Sequence, residues 1–185
     1  MIDVNQLRRG VTFEHEDNLY KVLEYSHHKP GRGKATIRVN VRNLRSGANL
    51  QLTFISGDRV EDMHLEKRPV QYIFDEGLFY VFMDQENYEQ QRVRHDVFGD
   101  DSTFLKDNME LELLSYDGEM IDYNLPPNVD LKVVDSEMAI AGDTASGATK
   151  EVTVETGRKV RTPLFVEVGD TIRVDTRSGE YVTRV

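Results

Sequence analysis

The chain has 185 residues, no cysteine, 30% charged residues and a formal net charge of −10. The lack of cysteine excludes a disulfide framework and a thiolate metal centre, and fits a reducing cytoplasm. The longest unbroken apolar run, Leu78 to Met83, has six residues, against the roughly 20 of a membrane helix. Met1-Ile2-Asp3-Val4-Asn5-Gln6 lacks the basic-then-apolar order of a signal peptide. At first sight the acidic average argues against a phosphate-rich partner.

Along the chain the signals are those of short strands between tight turns. A strand is expected over Tyr20 to Tyr25. A second follows over Thr36 to Leu44, where Ile37, Val39 and Val41 alternate with Arg38, Asn40 and Arg42. Turn pairs follow at Ser46-Gly47 and Ser56-Gly57. The charged stretch Glu66-Lys67-Arg68 then precedes a new apolar run at Val70, with a turn at Glu76-Gly77. Helical signal is weak: a short helix is expected over Gln85 to Gln91, and one turn behind a cap over Asp101 to Lys106. After Asp117-Gly118, the pair Pro126-Pro127 cannot sit inside a central strand, because proline lacks a ladder donor. Val129, Leu131, Val133 and Val134 open a further set of strands. Ile172 and Val174 alternate with Arg173 and Asp175. Many short strands at this spacing predict an all-β chain of small barrels or a sandwich.

Cutting at the two junctions gives modules 1–63, 64–127 and 128–185, each near the lower size for an independent core. The cuts also partition charge. The first module carries 10 Lys/Arg and 8 Asp/Glu, net +2; the second 5 and 15, net −10; the third 8 and 10, net −2. From Tyr25 to Gly57 there is no acid but six bases: Lys29, Arg32, Lys34, Arg38, Arg42 and Arg45. A positive patch is hidden inside an acidic average.

The sharpest local motif is Lys29-Pro30-Gly31-Arg32-Gly33-Lys34, between the first two strands. Pro then Gly suits a type II turn, because proline fixes φ and glycine accepts positive φ. A slim hairpin tip displaying Arg32, with Arg38 and Arg42 on one supporting face, suits insertion among phosphates, where each contact releases counterions. A merely solvated basic hairpin is the plain alternative.

His27-His28 point to opposite faces of a strand and have no ligand-spaced neighbour, so no metal site is expected. Gly142-Asp143-Thr144-Ala145-Ser146-Gly147 is a near miss for a phosphate-binding loop, with Ala148 where Lys is needed. Its small residues still suit close backbone approach to RNA. The carboxylates Asp75, Glu76, Asp84, Glu86, Glu89, Asp100 and Asp101 read as a solvated acidic face, and no catalytic motif occurs. Tyr72, Phe74, Phe79, Tyr80, Phe82 and Tyr88 read mainly as core packing of a small barrel, with base stacking as the alternative.

The hairpin tip followed by Ala35 resembles the tip loop of bacterial elongation factor P. Three further stretches match that family in order: Asp75-Glu76-Gly77 with Phe79 and Val81-Phe82-Met83-Asp84; the 142–147 loop; and Pro163-Leu164-Phe165-Val166 leading into Val174-Asp175-Thr176-Arg177-Ser178-Gly179-Glu180-Tyr181-Val182. The resemblance covers essentially the whole chain. It implies an N-terminal SH3-like (KOW-type) barrel followed by two OB-fold barrels, L-shaped and tRNA-like. It also implies a cytoplasmic, monomeric, non-enzymatic factor that binds the ribosome beside the peptidyl-tRNA in the P site. Such a factor promotes peptide-bond formation at polyproline stalls by positioning the acceptor end. Lys29, Pro30, Gly31, Arg32, Gly33 and Lys34 would form the contacting tip, with Arg38 and Arg42 in support. Arg32 stands where family members are modified, which places the chain in the arginine-tip group and makes Arg32 a candidate for a covalent group such as rhamnose; Lys34 departs from the small or polar residue expected there. Residues Gly142, Asp143, Thr144, Ala145, Ser146 and Gly147 would approach the exit-site codon of messenger RNA. No catalytic residue, metal, cofactor or membrane contact is implied. The rival reading is a general RNA-binding module of small barrels.

Overall fold

The computed structural model describes every residue except Pro30, Arg32 and residues 139–147. Its described residues form three antiparallel-rich sheets and almost no helix. They divide into two compact units, Met1–Lys67 with Leu114–Asp122, and Arg68–Leu113 with Tyr123–Val185.

The first sheet holds β1 (Ile2–Asp3), β2 (Thr12–His15), β3 (Asn18–His28), β4 (Thr36–Asn43), β5 (Asn49–Ile55) and β6 (Arg59–Asp62), in the order β1-β6-β2-β3-β4-β5. Its core is Val4, Leu7, Phe13, Tyr20, Val22, Ile37, Val39, Val41, Phe54 and Val60. The alternation in β4 works as expected: Ile37, Val39 and Val41 are buried, while Arg38 and Arg42 face solvent. The pairing of β3 with β4 shifts register between Val22 and Glu24, so Leu23 is an extra residue that bends the strand.

The second sheet holds β7 (Glu66–Asp75), β8 (Phe79–Asp84), β9 (Gln90–Arg94), β10 (Glu110–Tyr116) and β11 (Glu119–Asn124), in the order β11-β10-β7-β8-β9. The far end of the β10–β11 hairpin belongs to the first unit. There Ile121 packs with Leu19 and Met63. Lys21 Nζ meets Asp122 Oδ2 at 2.5 Å, and Tyr116 donates to Glu14 at 3.0 Å, which pushes the Tyr116 phenol pKa up. In the second unit, Tyr72, Val81, Phe82, Val93, Phe98, Phe104 and Leu111 are buried. The rings pack directly on one another: Phe82 stacks on Phe98 at 5.4 Å, and Phe98 on Tyr123 at 4.2 Å. Burial pushes the Tyr72 phenol up to about 12.

Two helical expectations are corrected here. Residues Gln85 to Gln91 do not form a helix. Asp84 is buried and its Oδ1 accepts from the backbone of Glu86 and Asn87, closing a side-chain turn that Tyr88 completes at φ 60° before β9 begins. Asp84 is therefore a structural cap rather than part of a solvated face. The helical turn expected over Asp101 to Lys106 starts earlier: one α-turn, α1 (His95–Phe98), runs into a 3-10 segment over Gly99–Phe104.

The third sheet holds β12 (Asn128–Ser136), β13 (Thr149–Val154), β14 (Lys159–Pro163), β15 (Thr171–Asp175) and β16 (Tyr181–Arg184), in the order β14-β13-β12-β15-β16. Val129, Leu131, Val133, Val152, Val154, Val160, Ile172 and Val174 fill its core, while Val134 points outward.

Candidate nucleic-acid interface

The outer face of β3–β4–β5 is a set of polar rows defined by strand register. Ser26, Arg38 and Thr53 form one row, Glu24, Asn40 and Gln51 the next, and Lys21, Arg42 and Asn49 the third. The middle row is tied together: Gln51 donates to Asn40 at 3.0 Å, and Asn40 donates to Glu24 at 2.8 Å. The relay fixes the amide orientations between two arginines that stand about 13 Å apart along the strand, at roughly 3.3 Å per residue. Arg9, Leu23, Tyr25 and Ser26 border a shallow cleft on the same face, together with Arg38 and Asn40. Arg8 sits over the Tyr25 ring at 4.4 Å and donates to the Asn5 and Leu7 carbonyls, so it is spoken for by the fold.

Lys29, Lys34, Arg38 and Arg42 make no ion pair among the described residues. Positive charge without an internal partner is available to an external anion. Gly31 and Gly33 bracket the tip with open space around both. Positive φ falls on Gly33 (+110°) and not on Gly31, which therefore lacks the conformation that the third position of a type II turn requires. Pro30, Arg32 and the 142–147 loop lie outside the described residues.

His27 and His28 are both exposed near the end of β3, and among the described residues no group of three or more His, Asp or Glu could hold a metal ion. No described helix is long and apolar enough to cross a membrane. The middle-module carboxylates are largely engaged: Asp75 accepts from His95 at 2.7 Å, Glu76 from Arg92 at 2.8 Å, and Arg94 pairs with Asp96 at 2.7 Å. The Gly77 backbone amide, then the His95 hydrogen bond, hold the Asp75 pKa below its usual value. The six aromatics divide evenly: Tyr72 and Phe82 are buried in the core, Phe79 and Tyr80 are half-buried, and Phe74 and Tyr88 are exposed. Sequence reasoning missed Arg9, Ser26 and Gln51, which only cross-strand register brings beside Arg38. The position of Asn40 between two outward arginines was the one signal available.

Fold and surface together define an all-β protein of three small modules, the first of which carries a strand face where Arg38 and Arg42 have no ion pair among the described residues. Three family descriptions match these modules in order: the KOW-like domain of elongation factor P over residues 3–60, its OB domain over 65–123, and its C-terminal domain over 129–184. The elongation factor P of Moorella thermoacetica is 45% identical over 184 residues, and that of Syntrophomonas wolfei 43% identical over 185, with all of both chains covered in each case. The solved structure of eukaryotic translation initiation factor 5A from Methanococcus jannaschii shares the fold at a TM-score of 0.50 and 20% identity, covering 68% of this chain and 92% of that one. The chain belongs to the elongation factor P family of translation factors.

Proposed function

We propose that this chain is a ribosome-binding factor of the arginine-tip kind, acting at polyproline stalls without doing chemistry itself. Proline is a poor reaction partner because its ring restricts geometry. A factor that holds the acceptor end of the P-site peptidyl-tRNA at attack distance lowers the entropic part of the barrier. In this reading module 1–63 carries the device. Lys29, Gly31, Gly33 and Lys34 flank Arg32 at the tip, and Arg38 and Arg42 steady the hairpin against phosphates. Module 64–127 is the acidic spacer. Module 128–185 carries Gly142 to Gly147 as the loop toward messenger RNA at the exit-site codon. The factor works as a cytoplasmic monomer with no cofactor, and Arg32 is the candidate for covalent modification, rhamnose among the options.

The observation that carries this reading is the outer face of β4, where Arg38 and Arg42, within an acid-free stretch, have no ion pair among the described residues. Full-length kinship to named elongation factors supports it. The test is Arg32→Ala in a reconstituted translation system. Synthesis through Pro-Pro-Pro should lose its stimulation by the factor, while ordinary peptides are little affected. Equal loss on all messages, or no loss, contradicts the role of the tip. The intact mass of the native tip peptide reads any modification directly.

A further inference from the structure

In the C-terminal stretch Val174 to Val182, Arg177 and Val182 are exposed, but Thr176 reaches the segment that leads out of the second module. Thr176 is buried, and its hydroxyl donates to the Pro126 carbonyl at 2.6 Å while its backbone amide donates to the Pro127 carbonyl at 3.0 Å. Both bonds hold the connecting segment between β11 and β12. Gly179, at φ +74°, lies against the Arg158 guanidinium so closely that a Cβ there would fall well inside van der Waals contact. The Asp175 carboxylate accepts from the Arg177 and Ser178 amides, fixing the turn that presents Gly179.

Arg158 is held from the other side by the second module. Its guanidinium lies 4.0 Å over the ring of buried Phe104, and its Nη1 donates to the Thr103 hydroxyl at 2.8 Å. Its Nε is buried without a hydrogen-bond partner among the described residues. Beside it, the Thr156 hydroxyl donates to the Thr103 carbonyl at 2.6 Å. Lys106 adds a second clasp, donating to the Asp130 carbonyl at 3.0 Å and pairing with Glu155 at 3.4 Å. A flexible arginine end ordinarily yields to a neighbour. Here stacking, a hydrogen bond and the glycine confine it on three sides, so its position is fixed by both modules at once.

We propose that Arg158 is a positioning residue. With Gly179 and Thr176 it clamps the 3-10 segment and the proline linker of the second module, so that the second and third modules act as one rigid arm. Through Thr176 and Gly179 the C-terminal stretch is then a joint. The role of the arm rests on the function proposed above: a third module that is loose must be ordered at each encounter with the ribosome, which weakens binding without altering the reaction that follows. An Arg fork stacked on a ring is not replaced by Lys, which has no plane to stack.

The test uses the full chain with Arg158→Ala, Arg158→Lys and the near-isosteric Thr103→Val, which removes the hydroxyl that accepts from Arg158 and donates to the Asp100 carbonyl within the 3-10 segment. Amide exchange should show the core strands β12 and β15 as protected as in the parent, with faster exchange at Thr176 and Gly179. Small-angle scattering should broaden toward a mixture of arrangements. In Pro-Pro-Pro synthesis the half-saturating factor concentration should rise about tenfold for both Arg158 variants, with maximal rate within about twofold. Thr103→Val should shift the same way by less. Unchanged exchange at Thr176 and Gly179 with unchanged scattering overturns the joint. Loss of maximal rate without a shift in half-saturation overturns the positioning role. If Arg158→Ala unfolds the third module, Thr103→Val alone decides by the same readouts. A parent chain that fails to stimulate Pro-Pro-Pro synthesis refutes the functional reading, whereas exchange and scattering still judge the joint.

Discussion

The outer face of β4 and the acidic surface of the second module treat charge in opposite ways. On β4 the arginines are exposed and have no ion pair among the described residues, in a stretch without a single acid. In the second module Glu76, Asp96 and Asp75 are matched with Arg92, Arg94 and His95, and Asp84 is buried as a turn cap. Surface ion pairs contribute little to stability, yet they consume charge that a partner would otherwise meet. Net charge is thus a poor guide to partners here. What matters is where unspent cations gather, and the acid-free stretch of the first module is such a place.

The sharpest break of this comparison lies within one strand. Ile37→Ala, on the inward side of β4, should cost about 2–5 kcal/mol of stability by opening a cavity. Arg38→Ala, on the outward side, should change stability by no more than about 0.5 kcal/mol. Denaturant unfolding of both variants measures this. Next in size, reversing Arg38 and Arg42 together to Glu should weaken ribosome binding at least about tenfold. It should also flatten the salt dependence by about one unit of slope for each phosphate no longer engaged. Titration at several salt concentrations reads both effects. Glu76→Gln in the second module should cost less than about 1 kcal/mol and leave ribosome affinity unchanged. An equal effect from the two regions would erase the distinction drawn between them.

The smallest effect is one of pH. Arg173 grips Asp130 with two hydrogen bonds, at 2.7 and 2.8 Å, and holds its carboxyl pKa below the ordinary value. A group lowered on folding stabilises above its unfolded pKa, near 4, and that contribution fades as pH falls through the folded value. Asp130→Asn should therefore lower stability at neutral pH and reduce the loss on acidification below about pH 4. Thermal melts across that range test it.

Much of the architecture was legible because period-two alternation is a strong signal: Ile37, Val39 and Val41, or Ile172 and Val174, declare their faces without help from the rest of the chain. The short helix expected over Gln85 to Gln91 failed because a single buried carboxylate, Asp84, captured the turn. Nothing local in the sequence states that this carboxylate is buried. At the tip, positive φ falls on Gly33 and not on Gly31, while Pro30, which the expected type II turn also needs, lies outside the described residues. The basic face was readable as far as Arg38 and Arg42. Arg9, Ser26 and Gln51 joined it only through register between strands. The contacts of Arg158 with Thr103 and Phe104 span more than 50 positions of sequence, a range at which pattern reading is blind.

Since the chain has no cysteine, one introduced thiol reports from one place. Lys34→Cys, carrying a tethered iron probe for hydroxyl-radical cleavage, should cut the acceptor end of peptidyl-tRNA on ribosomes stalled at consecutive prolines, whereas the same probe at Glu86→Cys should not. Cleavage away from the acceptor end by a Lys34→Cys protein that still binds those ribosomes would contradict the placement of the tip.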